Sequence, residues 1–165
     1  MVCHEVTKKP KKGVELLKKT IINTGLNNFI LVDKITHAEA QNISGIKTFS
    51  NSPAYLALES LAQLGAFHVR YLTGFKRHAF LLKITRCLIP AQEKLNGTYR
   101  LSGMLVSRSI SAFSHILQAE KGDMIQLKGE FMFATVDYDR SFQKEKLMDH
   151  YRSVFSCLQN DSKTD

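Results

Sequence analysis

The 165-residue chain has no tryptophan, only three cysteines and three prolines, and only fifteen acidic residues against twenty-three basic ones. Each shortage excludes something. Cys3, Cys87 and Cys157 are odd in number and show no CxxC or CxxH spacing. Neither a disulfide framework nor a zinc site is therefore expected, and no metal or other cofactor is implied. Free thiols fit a reducing compartment, so the expected location is the cytoplasm. No apolar run reaches the ~18 residues of a membrane span. The opening stretch MVCHEVTKKPKKGVELLKKT lacks the apolar core of a secretory signal, and none is expected. What is present is ordinary: 44% hydrophobic and 23% charged residues, enough to order one domain around one core.

The net charge of +8 is unevenly placed. Lys8, Lys9, Lys11, Lys12, Lys18 and Lys19 oppose only Glu5 and Glu15, so half of it sits in residues 1–20. A solvated basic arm is the expected reading of that segment. The chain shows no helix-turn-helix signature, no aromatic RNA-binding strand and no zinc knuckle, so nucleic acid is not expected as a partner.

Along the chain, VELLKKTII at 14–22 suits a short amphipathic helix, and residues 23–28 a turn. FILVDKI at 29–35 reads as a strand, and a second strand falls within 41–49. Ser52-Pro53 reads as a helix start, with serine as cap and proline in the first helical position. A long helix over 54–71 ends at Thr73-Gly74. Strands are expected at 79–89, 98–107, 111–119 and 124–136, the last entered through the turn Glu120-Lys121-Gly122-Asp123. Asp137 and Asp139 read as turn residues. Ser141 then caps a terminal helix whose Leu147, Tyr151, Val154 and Leu158 make an apolar stripe. The expected fold class is α+β, a helix packed on a curved sheet. The expected divisions are a basic arm at 1–20, a domain at 21–140, and a C-terminal helix with frayed tail at 141–165.

The central helix carries the chemistry. Between Pro53 and Val69 its one formal charge is Glu59. A lone carboxylate on a nearly all-apolar helix is costly unless paired, hydrated or neutralised. At ~100° per residue, Ser52, Gln63 and Arg70 fall within about 40° of Glu59 and form one narrow polar stripe. That stripe is either the solvent side of the helix or the wall of a cavity with Glu59 as its reactive group. His68 falls half a turn away on the opposite face, and His115 sits on a strand that faces either the helix or solvent. His4, His37, His78 and His150 read as loop or terminal residues, and no histidine has metal-ligand spacing. There is no GxSxG elbow, P-loop or GxGxxG.

FILVDKI at 29–35 and PAYLALESLAQLGA at 53–66 resemble a strand and the central helix of the FabZ/FabA-like 3-hydroxyacyl-thioester dehydratases, and FLLKI at 80–84 resembles their next strand. Pro53, Glu59, Ala62 and Gln63 fall in register without gaps. The resemblance covers about residues 21–137 and implies a hotdog fold, in which a curved antiparallel sheet wraps a long helix and two chains pair. It implies Glu59 as catalytic acid and Gln63 as a residue that helps hold the site. Substrate-binding roles are expected for Ser52, Ala54 and Tyr55, because N–H groups at a helix start can hold a thioester oxygen, and Pro53 has none to give. The implied substrates are thioesters of acyl carrier protein or CoA, in fatty-acid or polyketide-type metabolism. The family's His-Phe-Pro-Gly segment is missing: only IKTFSNS separates the preceding strand from Pro53. The short predicted-dehydratase type without that loop is a closer match. The expected assembly is a homodimer, or a hetero-oligomer in which another hotdog subunit supplies the histidine. Thioester hydrolysis by Glu59, or acyl-thioester binding without turnover, are the alternatives. Arg70, Lys76 and Arg77 are the cations expected to face an acidic carrier protein.

Overall fold

The computed structural model describes residues 3–4, 21–22, 29–89, 93–139 and 142–160. Two short strands, β1 (Cys3–His4) and β2 (Ile21–Ile22), pair with each other. The basic arm otherwise lies outside the described residues, as does the helix expected over 14–22 except for Ile21 and Ile22, which are strand. The main body is a six-stranded antiparallel sheet of β3 (Lys34–Ala38), β4 (Asn42–Pro53), β5 (Arg77–Leu88), β6 (Lys94–Arg108), β7 (Ala112–Lys121) and β8 (Met124–Asp137), in the order β3-β4-β6-β7-β8-β5. Two helices complete it, α1 (Tyr55–Leu72) and α2 (Lys144–Asn160). Among the described residues, no helix is long and apolar enough to cross a membrane.

The strands alternate as half-buried strands must. Phe113, His115, Leu117 and Ala119 of β7, and Leu127, Phe131, Phe133 and Thr135 of β8, face inward. Lys121 pairs with Met124 across the two-residue turn Gly122-Asp123. Gly122 has φ +60°, a conformation that suits glycine in a tight hairpin. α1 crosses the inner face of the sheet, touching β4 through β8. Close approach is possible because Gly65 lies against the Phe133 ring and Leu117.

β3 and β5 are opposite edges of the sheet, yet α2 packs against both. The sheet therefore curls around α1, and α2 lies across the gap between its edges. Val154, Phe155 and Leu158 are the buried side chains of α2, and the Phe155 ring meets Phe67, Tyr71 and Phe75. This is the α+β sheet-around-helix arrangement expected.

Two local expectations are corrected. Ser52 does not cap α1: it and Pro53 still belong to β4, and the N-cap is Ala54, with no side-chain bond to the helix. The Ser52 hydroxyl donates instead to the Ser50 carbonyl, because Asn51 at φ +47° turns the chain through a bulge there. The strand expected over 29–35 begins only at Lys34. Residues 29–31 bond to a helix side chain rather than to a neighbouring strand.

Candidate functional site

The polar stripe on α1 lines a cavity. Glu59, Gln63 and Arg70 open onto a space of about 500 Å³ between α1, residues 29–30, the start of β5 and the first half of α2. Its walls are mostly apolar, including Ala62, Ala66, Phe67, Phe80, Leu147 and Val154. The structure thus decides between the two readings of the stripe, because α2 covers the side of α1 that the sheet leaves open.

Gln63 ties the mouth together. Its Nε2 donates to the Phe29 carbonyl at 2.8 Å and to Glu59 Oε1 at 3.3 Å, while its Oε1 accepts the Leu31 N–H at 2.9 Å. One side chain therefore satisfies two backbone groups of a non-strand segment and orients the carboxylate one helical turn before it. Glu59 is half-buried, and it is the one carboxylate in the cavity wall among the described residues.

The three residues expected at the helix start stand apart. Ser52 and Ala54 are partly buried at the junction of β4 and α1, Tyr55 is 68% exposed, and none lines the cavity. The Ala54 N–H is donated to the Glu93 carbonyl at 3.2 Å, so it is engaged within the chain.

Three cavity groups lie outside the sequence reading of the site. His78 opens β5, and His150 and Tyr151 lie on α2; the histidines are in regular elements, not in loops or termini. The His78 ring stacks on Phe142, with centroids 4.4 Å apart. Burial above all holds both His78 and His150 below the ordinary imidazole pKa, and the charge of Arg70 lowers both further. Arg70, at the far end of the stripe, is only 8% exposed. Its Nη2 donates to the Ala79 carbonyl at 2.7 Å, and its guanidinium lies 3.9 Å from the centre of the Tyr151 ring. The sequence signal for α2 was its apolar stripe, which includes Tyr151 but does not say what the stripe covers.

The expected cationic face is also altered. Arg70 is interior, and Arg77 donates to the Ile110 carbonyl at 2.8 Å and reaches Asp137 at 3.3 Å. Of the three cations named for a carrier protein, Lys76 alone is exposed.

On the opposite face of α1, His68 and His115 form an interior pair. Both are 0% exposed, with His68 Nδ1 3.0 Å from His115 Nε2. His68 Nε2 lies 2.7 Å from the Glu39 carbonyl, which can only accept, so His68 carries its proton on Nε2. Its Nδ1 then accepts from His115 Nε2–H. His115 Nδ1 is left bare and enclosed without a partner. Burial, reinforced by His68, lowers the His115 pKa from 6.5 to about 3. His37 is an exposed residue paired with Glu39 at 2.9 Å. No cluster of metal-ligating residues occurs among the described residues.

No protein-family model matches the chain, and no curated protein sequence does. Solved structures do match. A chain of the dehydratase heterocomplex ApeI:P from Xenorhabdus doucetiae is 10% identical, with a TM-score of 0.58 over 69% of this chain and 86% of that one. A putative thioesterase, yhdA from Lactococcus lactis, is 11% identical, with a TM-score of 0.54 over 63% of this chain and 95% of the other. A conserved protein from Pseudomonas aeruginosa is 11% identical, with a TM-score of 0.54 over 62% and 87% respectively. At such identities the likeness is one of fold, and the fold is a hotdog.

Proposed function

We propose that this chain is an acyl-thioester protein of the dehydratase-like hotdog type, with Glu59 as its reactive group and a second hotdog subunit completing the site. The observation that carries this reading is the place of Glu59, the one described carboxylate in the wall of a mostly apolar cavity along the central helix. Dehydration of a 3-hydroxyacyl thioester needs a base to take the C2 proton and an acid to protonate the departing C3 hydroxyl, leaving a trans-2-enoyl thioester and water. One carboxylate supplies one of these roles. The side-chain hydrogen bond that Glu59 makes among the described residues is to Gln63, not to a histidine. His78 and His150 line the same cavity but stand at its Arg70 end, whose charge they feel, so in this reading the other role falls to a group from a partner. A partner has access across β5, an edge strand whose Phe80, Leu81 and Leu82 are exposed beside the cavity. The fold neighbour ApeI:P is itself a dehydratase heterocomplex.

Thioester hydrolysis is the second reading. It is favoured by the same solitary carboxylate, since a general base and one water suffice for it. The test offers 3-hydroxyacyl thioesters and saturated acyl-CoA to the chain alone and mixed with candidate hotdog subunits, following enoyl absorbance and free thiol. Enoyl product in a mixture supports the first reading, and free thiol from the chain alone the second. Glu59→Gln is expected to lower either rate by about 100-fold or more. Turnover that survives this change, or no turnover in any mixture, overturns the assignment of Glu59.

A further inference from the structure

Arg70 is a buried cation that nothing in the described chain neutralises. It is more than nine-tenths buried and lines the cavity, yet the one carboxylate of that wall, Glu59, stands eleven residues earlier on α1. At ~1.5 Å per residue the two are about 16 Å apart along the helix axis. The ion pairs of the described residues involve Lys47, Arg77, Arg86, Arg100 and His37, not Arg70. Arg70 Nε has no hydrogen-bond partner, and neither does Nδ1 of His78 or His150 in the same wall. Aromatic faces, Tyr151 at 3.9 Å and Phe67 at 5.8 Å, are its other company.

A guanidinium does not shed its charge in a protein, and an uncompensated buried charge is costly. Burial presses against the charge of Arg70, and Tyr151 and Tyr138 offset this only in part. The missing counter-ion then belongs to whatever fills the cavity. Because the walls are mostly apolar and the cation sits at one end of the polar stripe on α1, an apolar chain ending in an anion matches both features.

We propose that the Arg70 end of the cavity is a carboxylate subsite, which binds the acid end of an apolar-chain molecule lying along α1. The inference stands on the cavity and on Arg70, and does not require Glu59 to be reactive. The acid is either a free fatty acid or the distal carboxylate of a dioic acyl thioester, and the two share this chemistry.

Calorimetric titration of the full chain with decanoate, methyl decanoate, decanoyl-CoA and the CoA thioester of decanedioic acid tests it. The acid is expected to bind about tenfold or more tighter than its methyl ester, the worth of one charge-assisted hydrogen bond. A preference of the dioic over the simple thioester identifies the second source, and its absence the first. In Arg70→Gln the acid–ester difference is expected to vanish while ester binding persists. Equal binding of acid and ester by the unaltered protein overturns the subsite, and that comparison stands even if the variant does not fold. No turnover is read, so the subsite and the reactivity of Glu59 fail separately.

Discussion

His115 gives the fold a defined sensitivity to acid. In the native state it is fully enclosed, its Nε2–H spent on His68 and its Nδ1 facing no donor. A proton on Nδ1 would be a buried charge without a counter-ion, and its pKa accordingly falls from 6.5 to about 3. In the unfolded chain the same ring titrates near 6.5. As pH drops below that value the unfolded state takes up a proton that the native state refuses, so acid favours unfolding. The stability due to neutral His115 is complete above about pH 6.5 and shrinks by roughly 1.4 kcal/mol per pH unit down to its native pKa. By pH 4.5 the loss is roughly 2.5–3 kcal/mol, a large share of the ~5–15 kcal/mol that holds a typical domain together. The variant that isolates this effect is His115→Gln, whose amide nitrogen can reach His68 in place of Nε2 but does not titrate. Urea unfolding of both proteins from pH 7.5 to 4.5 measures it. The unaltered protein is expected to lose stability faster on acidification, the gap between the curves widening by roughly 2.5–3 kcal/mol across the series. His68 is also held below its ordinary pKa by burial and remains in both proteins, so its contribution largely cancels. Parallel curves would refute the burial of a neutral His115 and the tautomer chain built on it.

Two further outcomes follow from packing. Gly65→Ala, which would strengthen an exposed helix, is expected to cost about 1–3 kcal/mol here. The added Cβ falls inside the Phe133 ring's van der Waals envelope and 2.9 Å from Leu117 Cδ1, and a lowered urea midpoint with unchanged slope would show it. Gln63→Ala leaves the Phe29 carbonyl and the Leu31 N–H without their partner. Hydrogen exchange at Leu31 is expected to accelerate about tenfold or more, as for the loss of a bond worth ~1–3 kcal/mol, while exchange in β7 and β8 stays unchanged.

Much of this arrangement is legible in the sequence. The strand–helix–strands order follows from alternation and from one long apolar helix, because those periods report which side chains meet a core. The stripe of Glu59, Gln63 and Arg70 follows from the helical repeat alone, and the cavity runs along it. A serine-proline pair has two good uses, a helix start or the end of a bulged strand, and for Ser52 long-range pairing with Leu95 selects the second. Phe29–Asp33 read as strand because FILVD is apolar and β-prone, but the Gln63 side chain takes up the backbone groups at Phe29 and Leu31. His78, His150 and Tyr151 were out of reach for a different reason. Nothing local to α2 states that it spans both edges of the sheet and closes the cavity.

α1 therefore carries buried polar groups on two faces, Arg70 on the cavity side and His68 on the sheet side. Their hydrogen bonding separates them. His68 has a partner at each ring nitrogen, Glu39 and His115, and faces the sheet, where no ligand could enter. It is a structural group whose polarity is internally answered. Arg70, two residues further on, faces the cavity with one donor satisfied by Ala79 and its Nε unanswered. If burial alone had selected these residues, both would carry complete internal partners or be replaced by apolar side chains of like volume, which often stabilise a core. Orphaned atoms occur in the closed interior too, at His115 Nδ1, but that ring is neutral and sealed off, whereas Arg70 carries a full charge and borders a space that a ligand can fill. Glu59, half-buried in the same wall, makes its side-chain bond among the described residues to Gln63, which is already committed to holding the cavity's mouth.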